Sequence, residues 1–117
     1  MRSKRERARA REEAHKRFLK QLWRNRAAPP GLHPCILVLD HLKPNFNIGK
    51  IIRSADAFGV QEVHIVGTSW FDPVPAKGSF KWVPVRFYPD FAACYGHLSK
   101  LGYTLFVLDP AQGESLP

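Results

Sequence analysis

The sequence predicts an α/β domain with a mostly parallel sheet and flanking helices, preceded by a basic helical arm. Three observations carry this. Two short apolar runs, CILVL at residues 35–39 and VHIVG at residues 63–67, read as buried strands, being brief, rich in β-branched residues and closed by Asp or Gly. Between them NIGKIIRSADAFG has a helical period, with Ile48, Ile51, Ile52, Ala55 and Phe58 at spacings of three and four. A strand, a helix and a strand in that order form a right-handed crossover between parallel strands. Third, residues 1–26 hold 11 of the 18 Lys and Arg and three acids.

Residues 1–26 lack Pro and Gly and are rich in Arg, Glu, Lys and Ala, so a helix is predicted, with Ser3 as its cap. Phe18 with Leu22, and Leu19 with Trp23, are i,i+4 pairs. The first dozen residues have almost no apolar stripe and are expected to fray. The arm's net charge is +8, whereas residues 27–117 hold seven basic and seven acidic residues. A basic segment of this density attracts polyanions by releasing their condensed counterions. RNA or DNA is therefore the leading partner. A membrane fits less well, because only Phe18, Leu19, Leu22 and Trp23 offer an apolar face. The arm is either a solvated tail or an RNA-binding element whose end, at residues 18–23, docks on the domain or a partner.

AAPPGLHP at residues 27–34 is a linker, since consecutive prolines break the helix and stiffen the chain. The α/β part then occupies residues 35–117. After the first strand, residues 40–46 form a loop that Pro44 restricts and to which Lys43 adds a positive charge. Asn47 suits the N-cap of the central helix and Gly59 its C′ position. The helix mouth lies at the carboxyl end of the first strand. Sites gather at that edge of an open sheet, and a helix N-terminus favours an anion. Lys50 and Arg53 stand off the apolar stripe, and Arg53 is long enough to reach back toward the mouth.

Residues 68–80 have two prolines, a glycine and no period, and read as a long loop. Trp70, Phe71 and Phe80, with Lys77 and Lys81, either pack on the domain or a dimer interface, or stack bases and hold phosphates. VPVRF at residues 83–87 is a short strand, near an edge because of Pro84. Asp90 caps a helix that runs to Lys100 with Phe91, Cys94, Leu98 and Leu101 turned inward, and Gly102 ends it. TLFVLD at residues 104–109 reads as a further buried strand, and DPAQGESLP as a closing loop.

Two cysteines, Cys35 and Cys94, are expected as buried free thiols in a reducing, cytoplasmic setting. Two Cys and five scattered His make no metal-ligand cluster. No apolar run approaches the roughly 18 residues of a membrane span, and no apolar segment follows the basic N-terminus as in a secretory signal. A dinucleotide fingerprint needs three turn glycines, and here only Gly49 falls in that region. A phosphate-cradling P-loop is absent as well.

Asn-x-Gly-x-x-x-Arg (Asn47, Gly49, Arg53), followed by Ser-Ala-Asp-Ala-Phe-Gly, resembles the first motif of the SpoU (TrmH-like) RNA methyltransferases of the SPOUT class of knotted α/β enzymes. The resemblance extends to VQEVHIVG, GSFKWVPV and GYTLFVLD and covers about residues 35–112. It implies methyl transfer from S-adenosylmethionine to a ribose 2′-hydroxyl of tRNA or rRNA, by a homodimer. Arg53 would be the catalytic arginine and Asn47 would position it. The candidate RNA contacts are Lys43, Gly49 and Lys50 at the helix mouth, Lys77 and Lys81 in the loop, and Arg5, Arg9 and Lys16 on the arm. Two later family motifs, a Gly-x-Glu segment and a Pro-containing segment with Ser-Leu-Asn, do not occur after Gly102. The expectation is therefore a truncated SPOUT-like fold without its C-terminal knot, whose cofactor-binding residues are unknown. Two other readings stand beside it: a non-catalytic RNA-binding fragment, and a nucleotide-binding α/β module unrelated to methyl transfer.

Overall fold

The computed structural model describes residues 3–43 and 46–108. Helix α1 (Lys4–Asn25) begins where the Glu6 N–H donates to Ser3 Oγ at 3.1 Å, satisfying one of the orphan donors of the first turn. It runs unbroken from Lys4. Strand β1 (His33–Asp40), helix α2 (Phe46–Phe58), strand β2 (Val60–Val66), strand β3 (Val85–Tyr88) and helix α3 (Phe91–Lys100) follow. Two 3₁₀ turns, Val74–Ala76 and Ser79–Lys81, lie between β2 and β3. The three strands are parallel in the order β1-β2-β3, with Leu37 opposite Val63 and Val63 opposite Val85. The expected α/β architecture is what the structure holds.

Alternation along β2 sorts the core into two layers. Val63 and Ile65 join Ile48, Ile52 and Ala55 of α2 and Phe71, Ala76 and Phe80 of the long loop. His64 and Val66 point to the opposite face, where Val66 packs with Cys94 and Leu98 of α3. The loop after β2 is thus part of the core: Phe71 and Phe80 are fully buried, which excludes both from stacking on a nucleic acid. Gly49 is buried in α2 where this loop crosses it. A Cβ there would lie 3.0 Å from the Asp72 carbonyl oxygen and 3.2 Å from the Ala76 nitrogen, so only glycine lets the two backbones approach.

Helix α1 enters the first layer. Phe18 is buried among Phe71, Phe80 and Phe87, with ring centroids 5.2, 5.7 and 5.8 Å away. Asn25 is buried at the end of the helix. Its amide nitrogen donates to the carbonyls of Phe80 and Val83, both at 2.5 Å, and its amide oxygen accepts the Val85 N–H at 3.2 Å. One side chain therefore ties α1 to the turn before β3 and to the first residue of that strand.

Several expectations fail for identifiable reasons. β1 is half-buried, because in the described sheet it pairs on one side only. Cys35, near its outer end, is exposed, whereas Cys94 is buried; both thiols are free. Asn47 is the second residue of α2 and not its cap, since the helix starts at Phe46. The cap position falls outside the described residues, as does Pro44. Phe58 is 75% exposed: at about 100° per residue it sits on the rim of a stripe centred on Ile48, Ile52 and Ala55. Leu101 is exposed because α3 ends at Lys100 and the chain turns away at Gly102, with φ of +82°. Residues 104–108 form no strand and are exposed, since no ladder partner lies beside them among the described residues. Asp109 and the closing loop lie outside the described residues.

Asn25→Ala would leave two carbonyls and one N–H unpartnered in a buried place, and should cost about 2–3 kcal/mol of unfolding free energy. Urea melts of parent and variant check this.

Candidate functional site

The carboxyl edge of the sheet is built from the ends of β1 and β2 and the start of α2. β1 ends at Asp40, and His41 follows with φ of +54°, its N–H donating to the Val66 carbonyl at 2.9 Å. His41 Nδ1 lies 2.6 Å from Asp40 Oδ1. The His41 ring lies against Gly67, which follows β2, and a Cβ there would overlap the ring. Gly67 also has φ of +86°, so any other residue at this position meets both a steric and a backbone penalty.

Along α2, Phe46, Lys50 and Arg53 fall on one solvent face, with the half-buried Asn47 at its margin. Lys50 Nζ sits 4.7 Å from the centroid of the Phe46 ring. Arg53 is exposed and has no ion-pair partner among the described residues. Helical spacing thus sets Lys50 and Arg53 one turn apart on that face, with Asn47 at its edge nearer the helix start and exposed Lys43 in the loop leading to α2. Gly49 faces inward instead, and its part is packing. Lys77 is exposed in a left-handed conformation, φ +52°, directly after the turn that packs on Gly49. Lys81 lies farther along that loop, its Nζ 5.4 Å from the Trp82 ring centroid.

Arg5, Arg9 and Lys16 form a separate group. Their spacing places them on one face of α1, opposite the buried Ala14, Phe18 and Asn25. Lys16 pairs with Glu12 of the same face at 3.8 Å, both well exposed, so the pair adds little stability. Toward the docked face, Arg11 lies 5.8 Å from the centroid of Trp70, and His15 meets that ring edge-on at 5.3 Å. Arg17 reaches Asp72 at 3.9 Å. Sequence reasoning passed over Arg11, His15 and Asn25. The signal was the spacing 11, 15, 18, 22, a docking stripe concealed because two of its four members are polar.

A second polar cluster lies under α3. Glu62 Oε1 accepts from Arg86 Nε at 3.2 Å and contacts His64 Nε2 at 2.8 Å. His64 Nδ1 lies 3.7 Å from Cys94 Sγ. A neutral imidazole protonated on Nε2 satisfies both contacts. Burial drives the His64 pKa below its ordinary value, outweighing the hydrogen bond and charge of Glu62. Burial likewise pushes the Cys94 thiol up, so the Cys–His–Glu array holds an inert thiol and not a nucleophile. Among the described residues no group of His, Cys, Asp and Glu is arranged to hold a metal ion, and no helix is long and apolar enough to cross a membrane.

Residues 34–117 match the model of the SpoU rRNA Methylase family. The chain is also 32% identical over 101 residues to the tRNA (guanosine(18)-2′-O)-methyltransferases of two strains of Thermus thermophilus. Each overlap takes in 84% of this chain and 50% of the relative, so the chain spans about half the length of the curated relatives it matches.

The lowered His64 pKa fixes a pH dependence. As pH falls through about 6.5, the unfolded chain takes up a proton that the folded chain refuses. His64 therefore leaves stability intact above that pH and withdraws it as pH falls toward the folded-state value. Melting temperature should drop between about pH 7.5 and 5.5 for the parent, and less steeply for His64→Gln.

Proposed function

Because the chain belongs to the SpoU rRNA methylase family, we propose that it is part of an RNA 2′-O-methyltransferase. Its substrate would be a tRNA or rRNA and its methyl donor S-adenosylmethionine. The observation that carries this reading is the α2 face. Asn47, Gly49 and Arg53 keep the motif spacing on a helix that starts at the carboxyl edge of the sheet, with Arg53 exposed beside Lys50.

The chemistry asks for alignment and charge at a weak nucleophile. A guanidinium is always protonated and cannot itself serve as the base. In this reading Arg53 grips a phosphate next to the reacting ribose and orients its 2′-hydroxyl, a task suited to a planar, doubly donating group. Asn47 positions that arginine. Lys50, Lys43 and Lys77 hold neighbouring phosphates, and Arg5, Arg9 and Lys16 hold more distant ones. The donor would present an adenine, a carboxylate and a sulfonium. The described side chains around Arg53 are exposed and do not by themselves enclose such a group. That observation favours, as the second reading, an RNA-binding module without catalysis. A homodimer and a cytoplasmic setting belong to the same proposal; two free thiols fit a reducing compartment.

Methyl transfer from labelled donor to bulk tRNA and rRNA tests the first reading. Arg53→Ala should change stability by only about half a kcal/mol, being an exposed substitution. It should slow transfer about 100-fold or more, the cost of one lost transition-state contact. Arg53→Lys should recover little of that rate. A parent chain that binds RNA yet transfers no methyl group supports the second reading.

The arm has its own test. Deleting residues 1–26 would remove Phe18 and Asn25 from the core, so the charge has to be altered in place. Replacing Arg5, Arg9 and Lys16 together by Gln should leave melting unchanged. It should also flatten the log–log salt dependence of single-stranded RNA binding by about 2.

A further inference from the structure

We infer that the cleft between Trp70 and Tyr88, at the carboxyl ends of β2 and β3, binds an unpaired RNA base delivered by the basic helix α1. This rests on RNA as the partner and adds where a base would stack, in a cleft whose lining includes no residue of α2.

The cleft is open and measures about 510 Å³, within the range of small-ligand sites. Trp70 gives it an aromatic wall, and Thr68 and Ser69 add hydroxyl groups that can serve a base edge. Phe87, Tyr88 and Pro89 border it at the end of β3, the Phe87 ring packed against Phe18 and Phe71 and the Tyr88 ring against His64 and His97 on the other face of the sheet. Such a composition suits a flat, partly polar ring. Gly67 also lines it, and the side on which its Cβ would stand is taken by the His41 ring. Thr68 Oγ1 donates to the Trp70 carbonyl at 3.3 Å, which fixes the turn that presents the indole.

Charge selects the occupant. α1 passes directly over Trp70, with Arg11 and His15 against its ring. The first 26 residues carry the whole net charge of +8, so a polyanion drawn to α1 arrives beside this cleft. Phosphates on the helix and a base against an indole are the two halves of single-strand recognition, and stacking accepts any base because every base has a π-face. A duplex keeps its bases paired and offers none to the cleft, so an unpaired segment is the ligand.

The test compares two labelled ten-nucleotide RNAs of equal charge, one of adenosines and one abasic, titrated into the full chain. The parent should bind the base-bearing strand about tenfold more tightly, the worth of one stacked base. Trp70→Leu removes the stacking surface. Ser69→Glu places a negative charge on the exposed rim without touching the core. Either variant should bring the adenosine strand to the affinity of the abasic one, with binding of the abasic strand little changed for Trp70→Leu. If Trp70→Leu fails to melt cooperatively, Ser69→Glu alone decides. Equal binding of the two strands by the parent overturns the proposal while leaving RNA binding by the arm in place. So does retention of the tenfold preference in the folded variants. Loss of all RNA binding by the parent would remove the functional reading as well. A shift in sedimentation caused by either substitution would make the cleft a contact between copies and likewise overturn it.

Discussion

Burial of the Phe18 ring is the interaction on which the rest of the structure depends. A basic helix has no reason of its own to lie on a neutral domain, because almost every side chain it carries prefers water. Phe18 supplies that reason. Its ring closes a cluster made by Phe71 and Phe80 of the loop and Phe87 of β3, and so seals the layer beneath α2. Burying a phenylalanine fully is worth about 2–3 kcal/mol, a large share of the few kcal/mol by which small domains are stable. Asn25 then sets direction and register, since its amide accepts one strand N–H and serves two carbonyls that would otherwise be orphaned.

That anchoring changes what the charged residues can do. A free tail would carry its cations as a diffuse cloud. A helix pinned at Phe18 and Asn25 carries Arg5, Arg9 and Lys16 on a fixed outward stripe and holds Arg11 and His15 against Trp70. The same loop that receives Phe18 also crosses Gly49 and so braces the start of α2. Arm, loop and motif helix are therefore mechanically linked, although each contributes to the surface separately.

Local patterns in the sequence were sufficient for the elements whose signals are local. The crossover around α2, the Asp90 cap of α3, and the positive φ of Gly59 and Gly102 all follow from spacing and turn chemistry. What stayed hidden depended on distant partners. Nothing near Asn25 in sequence indicates three backbone groups waiting at residues 80–85. Residues 104–108 have the composition of a strand, yet composition says nothing about whether a neighbouring edge is present to pair with. In the candidate site, the Asn47–Gly49–Arg53 spacing was legible, but the inward role of Gly49 became visible only with the loop laid across it. Cys35 failed in the same way as β1: an apolar run identifies a strand without saying how many of its sides are covered.

The long sequence separation of the anchor has a kinetic consequence. The three hydrogen bonds of Asn25 span 55, 58 and 60 residues. During synthesis, which proceeds from the N-terminus, α1 emerges before β3 and has nowhere to dock until β3 has been made. The domain's folding is therefore paced by a late, non-local closure, the slow class of event. Until then the nascent chain presents a basic segment that is only marginally helical in isolation.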